Sequence, residues 1–149
     1  DEKTQNTLRD HWHDIVFDRR YVAVVSGEME KEQGTVHSWL TDRKLYVSSS
    51  PVDDGGKEAV THYRTIKRGN GYSLVELMLE TGRKNQIRVH MQDLGHPVVG
   101  DGRYGLEEVN PLNRLALHAF KLCFDHPVTG EELRFETPYP PEFKRLVQP

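Results

Sequence analysis

Hydrophobic and polar positions along the chain alternate in short runs broken by glycine and proline, a pattern that predicts short strands with few helices. Leu8 and Trp12, four apart in "TQNTLRDHWHD", predict a short helix near the start. "RYVAVVSG", 20–27, is rich in valine and closed by Gly27, as a strand would be. The passage after it is polar, and "VDDGGK" at 52–57 reads as a turn or mobile loop. "AVTHYRTI" and "YSLVELMLE" flank "KRGNG", where Asn70-Gly71 suits a tight turn with positive φ, so the two runs are predicted as a hairpin. In its second strand Val75, Leu77 and Leu79 share one face.

The period changes after Thr81-Gly82. Ile87, Met91 and Leu94 fall on one stripe and Lys84, Arg88 and Gln92 on another, which predicts a helix from about Asn85 to Leu94. Gly95 suits the position just past its end, and Pro97 forbids continuation. "HPVVGDGRYG" is a glycine-punctuated loop. "LALHAFKLCF" and "LRFETP" read as strands separated by the turn "DHPVTGEE", and "PPEFKRLV" as a brief last helix with proline at its start. No repeat or internal linker divides the chain. Hairpins with a few helices predict one α+β domain built around one sheet.

The size, 149 residues, is that of one ordinary domain, and folding at this length buries roughly two-thirds of the unfolded surface. With 36% hydrophobic and 29% charged residues the composition is that of a soluble globular protein. No apolar run approaches the ~18 residues of a spanning helix. The polar first residues carry no secretory signal, and the single Cys123 cannot form an internal disulfide, so a cytoplasmic location is expected.

The formal net charge of -3 hides two windows without acids, "RTIKRGNG" at 64–71 and "TGRKNQIRVHMQ" at 81–92. Eight histidines raise the question of a metal. No H-E-x-x-H occurs, His11 and His13 would point apart on a helix, His90 and His96 straddle a helix end, and His118 and His126 adjoin strands, so no metal site is expected. "GDGRYG" lacks the spacing and setting of a dinucleotide loop, and there is neither a P-loop nor a G-x-S-x-G elbow. "ETGRKNQIRVH", 80–90, is the strongest chemical candidate. A helix N-terminus offers free N–H groups and partial positive charge; Arg83 and Lys84 sit at that end, and Arg88 lies one turn on. From the residues alone two readings stand: a solvated basic helix end, or a site for a carboxylate or phosphate.

Taken together, "LETGRKNQIRVHMQDLGHPVVGDGRYG" and "RLALHAFKLCFDHPVTGEELRFETPYPPEF" resemble the C-terminal part of the RluA-type pseudouridine synthase catalytic domain. Upstream, "RRYVAVVSGE" and "GGKEAVTHY" resemble further strands of that family in the same order, so the likeness covers nearly the whole chain. The resemblance implies the α+β pseudouridine synthase fold, a mixed, mostly antiparallel sheet with flanking helices. It implies isomerisation of uridine to pseudouridine in RNA, ribosomal before transfer RNA, by a monomer that uses no cofactor or metal. The family's nucleophile is an aspartate in an H-R-L-D motif, with a tyrosine packed on the base and a cation paired with the aspartate. Carried over, the tyrosine is Tyr21, the cation is Arg88, and Ile87 is an apolar pocket residue. Arg83 and Lys84 then face the substrate RNA, while His90 and Asp101 serve the architecture.

No H-R-L-D occurs in this sequence, and "NRLALH" at 113–118 has alanine where the aspartate is required. The expectation is therefore a chain truncated at its N-terminus, with the aspartate upstream of Asp1 and no RNA-binding module ahead of the domain. Such a chain would be inactive alone and would leave the Arg88 charge unmatched. Lys84-Asn85 stands where many relatives have threonine-histidine. Two rival readings are a non-catalytic RNA-binding module on the same scaffold and a histidine-dependent metallohydrolase.

Overall fold

The computed structural model describes residues 16–106, 108–126 and 128–148. The helix expected around Leu8 and Trp12, with His11 and His13, lies outside the described residues. Seven strands form one sheet: β1 (Val16–Ser26), β2 (Gln33–Asp42), β3 (Val47–Ser50), β4 (Lys57–Gly69), β5 (Tyr72–Leu79), β6 (Leu117–Asp125) and β7 (Glu132–Glu136). Among the described residues two short helices accompany them, α1 (Gln86–Asp93) and α2 (Pro141–Leu146). The strand order is β3-β2-β4-β5-β1-β6-β7. Every neighbouring pair is antiparallel, so the mixed sheet expected from the family contains no parallel pair among the described residues.

The β4–β5 hairpin turns as predicted, with Asn70 at φ 59° and Gly71 at φ 80°. β2 and β3 fall inside the passage read as polar. Val36, Ser38 and Leu40 point inward along β2, so a serine occupies the middle of its buried face and masks the period-two signal. Edge strand β3 is only four residues long and serine-rich.

β1 runs through the centre of the sheet. Val22, Ala23, Val24 and Val25 have no exposed surface, because both faces of the strand are covered at that level. On one face α1 packs Ile87 and Met91 into this core and Val89 into a smaller cluster with Leu40, Val47, Ala59 and Tyr104. On the other, Tyr139 leads into α2 and bonds Glu76, which alternates with the α1-facing Leu77. α2 buries Phe143, and Val147 just beyond it is buried as well. A side chain at Gly69 would strike the Val147 carbonyl, so glycine there lets the hairpin and the α2 end meet.

Residues 96–106 and 108–116 close the α1 face. Val98 bridges Val25, Val99 N–H donates to the Val24 carbonyl, and Ala116 exchanges bonds with Val99 and Val24. Gly100, at φ 83°, brings this loop within touching distance of the Arg114 backbone, where any Cβ would collide with the carbonyl.

Candidate active site

The sharp turn between β5 and α1 is built by the side chain of Gln86, which is 2% exposed. Its carbonyl oxygen accepts from Thr81 Oγ1 at 2.7 Å and from the Arg83 N–H at 3.0 Å. Its amide donates to the Val60 carbonyl at 3.0 Å and to Thr61 Oγ1 at 2.8 Å. Asn85 adopts the left-handed conformation just before α1 without capping it through its side chain. Gln86 therefore closes the turn ahead of the helix and ties it to β4 in the same stroke.

Three basic residues leave this turn in three directions. Arg83 is exposed and donates through Nε to the Glu58 carbonyl at 2.9 Å. Lys84 Nζ lies 3.3 Å from Asp42 Oδ2. Arg88 makes a two-pronged ion pair with Asp101, Nε to Oδ2 at 2.8 Å and Nη2 to Oδ1 at 2.9 Å, and lies 5.1 Å from the centre of the Tyr104 ring. The Arg88 charge is thus matched within the chain, against the expectation that it would stand unpaired. Asp101, read as architectural, is 1% exposed and also accepts the N–H groups of Arg103 and Tyr104 at 3.0 Å. Burial by itself raises its carboxyl pKa, but Arg88 and the Tyr104 and Arg103 N–H groups outweigh that and hold it below the usual carboxylate range. The bond to Asp101 likewise raises Arg88.

A cleft of about 310 Å³ opens beside the turn, and Tyr21, Arg83, Ile87 and Arg88 all line it, with Leu79, Leu115 and Leu117 supplying apolar wall. Tyr21 reaches it from β1, where it pairs with Leu77 of β5 and Ala119 of β6. The β1–β6 register slips by one residue between Arg20 and Tyr21; Arg20 faces Lys121 and Tyr21 faces Ala119, which leaves Phe120 as the bulged residue. Ile87 is 5% exposed and forms the floor from the first turn of α1. Lys84 lies outside this cleft. It lines a neighbouring pocket of about 440 Å³, which also includes Arg83.

The histidines are engaged elsewhere. His90, with no exposed surface, bonds Thr61 Oγ1 through Nδ1 at 2.7 Å and Ser38 Oγ through Nε2 at 2.8 Å, so it holds α1 to β4 and β2. Burial, and then the nearby His37, push its pKa down to about 4. His96 Nδ1 bonds the Ser26 carbonyl. Among the described residues no group of three or more histidines, cysteines or acids could hold a metal ion, and this leaves the metallohydrolase reading without a ligand set there.

Two solved human structures share the fold. RNA Pseudouridylate Synthase Domain Containing 1 matches with a TM-score of 0.76 and 25% identity over 97% of this chain and 62% of its own. RNA Pseudouridylate Synthase Domain Containing 4 matches with a TM-score of 0.72 and 21% identity over 99% of this chain and 67% of its own. The chain belongs to the RNA pseudouridylate synthase family, whose model matches residues 1–93, and within it to the RluA type. The RNA pseudouridine synthase YlyB of Bacillus subtilis is 43% identical over 130 residues, covering 87% of this chain and 43% of that protein. Ribosomal large subunit pseudouridine synthase D of Haemophilus influenzae is 39% identical over 142 residues, covering 87% of this chain and 44% of that protein. The chain spans less than half the length of these relatives. No helix among the described residues is long and apolar enough to cross a membrane.

Proposed function

We propose that this chain forms the uridine-binding wall of an RNA pseudouridine synthase acting on ribosomal RNA. The observation that carries the reading is the single cleft lined by Tyr21, Arg83, Ile87 and Arg88. A base isomerised in place must leave its stack and enter a pocket, and this cleft has an aromatic side, an apolar floor and a cationic rim for it. Tyr21 packs against the flipped base and stands where a proton could be taken from it. Ile87 and Leu79 hold its other surface away from water.

The family's nucleophilic aspartate needs a cation beside it to stay ionised in a partly dry pocket. Arg88 holds Asp101 through Nε and Nη2 and lines the same cleft with Nη1 only 3.4 Å from Asn85 Oδ1, so it remains one cation for that nucleophilic carboxylate. Arg83 makes no ion pair among the described residues and lines the same cleft, so we assign it to the incoming carboxylate as well. No H-R-L-D motif occurs within residues 1–149, so the assignment is tested on a protein that supplies one. The ribosomal choice draws on relatives that act, by name, on the ribosomal large subunit.

One rival is an RNA-binding module without catalysis on the same scaffold. Pseudouridine mapping on ribosomal RNA separates the two. The 149-residue chain alone is expected to form no pseudouridine, and the protein that includes the aspartate segment is expected to form it. In that protein Tyr21→Phe and Arg83→Ala should each lower turnover by about 100-fold or more. Product formed by this chain alone, or no product from the longer protein, would overturn the assignment.

A further inference from the structure

The pocket beside the cleft, about 440 Å³, has a construction of its own. Its walls are the end of β2 (Leu40, Thr41, Asp42), the loop glycines Gly55 and Gly56, Lys57 at the start of β4, and the Gly82–Lys84 turn. Three cations from two separate segments, Lys57, Arg83 and Lys84, line it against one carboxylate, Asp42. Asp42 is already shared between Lys84 Nζ and the Lys44 N–H. The acids of the glycine loop turn back on it: Asp53 accepts the Gly55 N–H and Asp54 the Gly56 N–H, each at 3.0 Å. Lys57 is exposed and makes no ion pair among the described residues, like Arg83.

The loop is also drawn tightly against β2. A Cβ on Gly56 would come within 2.8 Å of Thr41 Oγ1 and 2.9 Å of the Leu40 carbonyl, so only glycine lets the loop close this side of the pocket. Arg83 is the shared post between pocket and cleft. An exposed arginine standing between an apolar base-sized cleft and a pocket rimmed by lysines is a layout for a nucleic-acid strand: base on one side, backbone on the other.

Building on the function proposed above, we infer that this pocket is a phosphate subsite for RNA, receiving the backbone phosphodiester next to the flipped uridine, with Lys57 as its dedicated cation. Lys84 gives up part of its contact with Asp42 when the phosphate arrives, and Arg83 spans the two sites. Each phosphate neutralised on a single strand releases counterions and adds about 0.7 to the slope of log affinity against log salt.

The test uses this chain, a short fluorescein-labelled single-stranded RNA containing uridine, and anisotropy titrations from about 50 to 200 mM salt. Lys57→Ala is expected to weaken binding and flatten the slope by about 0.7, Lys57→Glu to weaken it further, and Lys57→Arg to restore both. Lys67→Ala, an exposed lysine at the far end of β4, is expected to leave both unchanged. If the unmodified chain binds RNA but Lys57→Ala keeps its slope, or if Lys67→Ala flattens it equally, the subsite is wrong while the cleft assignment stands. If the unmodified chain shows no salt-dependent RNA binding at all, subsite and parent reading fall together.

Discussion

Both oxygens of Asp101 are in use: Oδ1 accepts from Arg88, Arg103 and Tyr104, and Oδ2 from Arg88 again. A buried carboxylate so placed is worth more by what its removal exposes than by the attraction itself. Asp101→Asn leaves the Arg88 guanidinium, a quarter exposed, against a neutral amide. The expected loss is about 3 kcal/mol, at the low end for a broken buried pair because water still reaches Arg88; urea denaturation at neutral pH measures it. A loss near zero would mean that the pair does not hold the helix start. The chain's motifs single out Tyr21, Arg88, Ile87, Arg83 and Lys84; the structure brings the first four to one cleft and leaves Lys84 in the neighbouring pocket. The Arg88 pairing was not legible, because its partner lies 13 residues further on across a glycine loop, where no helical or strand period connects them. The signal was there in weak form, a lone acid held among glycines in "VVGDGRYG".

α1 is attached to the sheet as much by polar contacts as by apolar ones. From Gln86 the contacts pass to Thr61, His90, Ser38, Ser49 and finally Asp93, joining both ends of the helix to β2, β3 and β4. Gln86 has both of its amide groups fully engaged. Replacing it by glutamate sets a carboxylate oxygen against the Val60 carbonyl and leaves Thr61 to turn its hydroxyl toward the new acid at the expense of its bond to His90. Gln86→Glu is expected to cost about 2 kcal/mol and to speed amide exchange selectively in α1 and the 80–85 turn, as read by hydrogen–deuterium exchange. Uniform acceleration across the sheet would place the role of Gln86 in global stability alone. The helix itself was legible to within a residue at each end, since its apolar stripe and Gly95 mark it. β2 and β3 were not, and the same contacts explain why: Ser38 and Ser49 look like surface residues in the sequence, yet serve the buried side of the sheet.

At the scale of the molecule, the strand order rests on pairings that no local pattern announces. β1 lies between β5 and β6, across long stretches of chain, whereas only the adjacent hairpins could be foreseen. The buried His90 makes the stability of this assembly depend on acid. A histidine in the unfolded chain titrates near 6.5, while this one is pushed down to about 4, so the unfolded state takes up the proton first as pH falls. The contribution is complete above about pH 6.5 and declines down to about pH 4, by a total on the order of 3 kcal/mol. Below that, Asp101, whose carboxyl sits under its ordinary value, continues the loss in the usual carboxylate sense. Urea midpoints across this interval should fall steadily for the unmodified chain and less steeply for His90→Gln; parallel curves would remove His90 from the account.

The slipped register at Phe120 bears on how this chain is compared with its kin. The extra residue lets Phe120 lie edge-on against Tyr139, 5.1 Å between ring centres, while the small Ala119 still faces Tyr21. Without the slip, β6 could not present Ala119 to Tyr21 and Lys121 to Arg20 at once, since neighbouring residues of a regular strand face opposite sides. A relative whose β6 runs straight should therefore align with a one-residue gap at Phe120. Such a gap would mark a lineage that kept the small residue beside the tyrosine and gave up the aromatic brace beneath it.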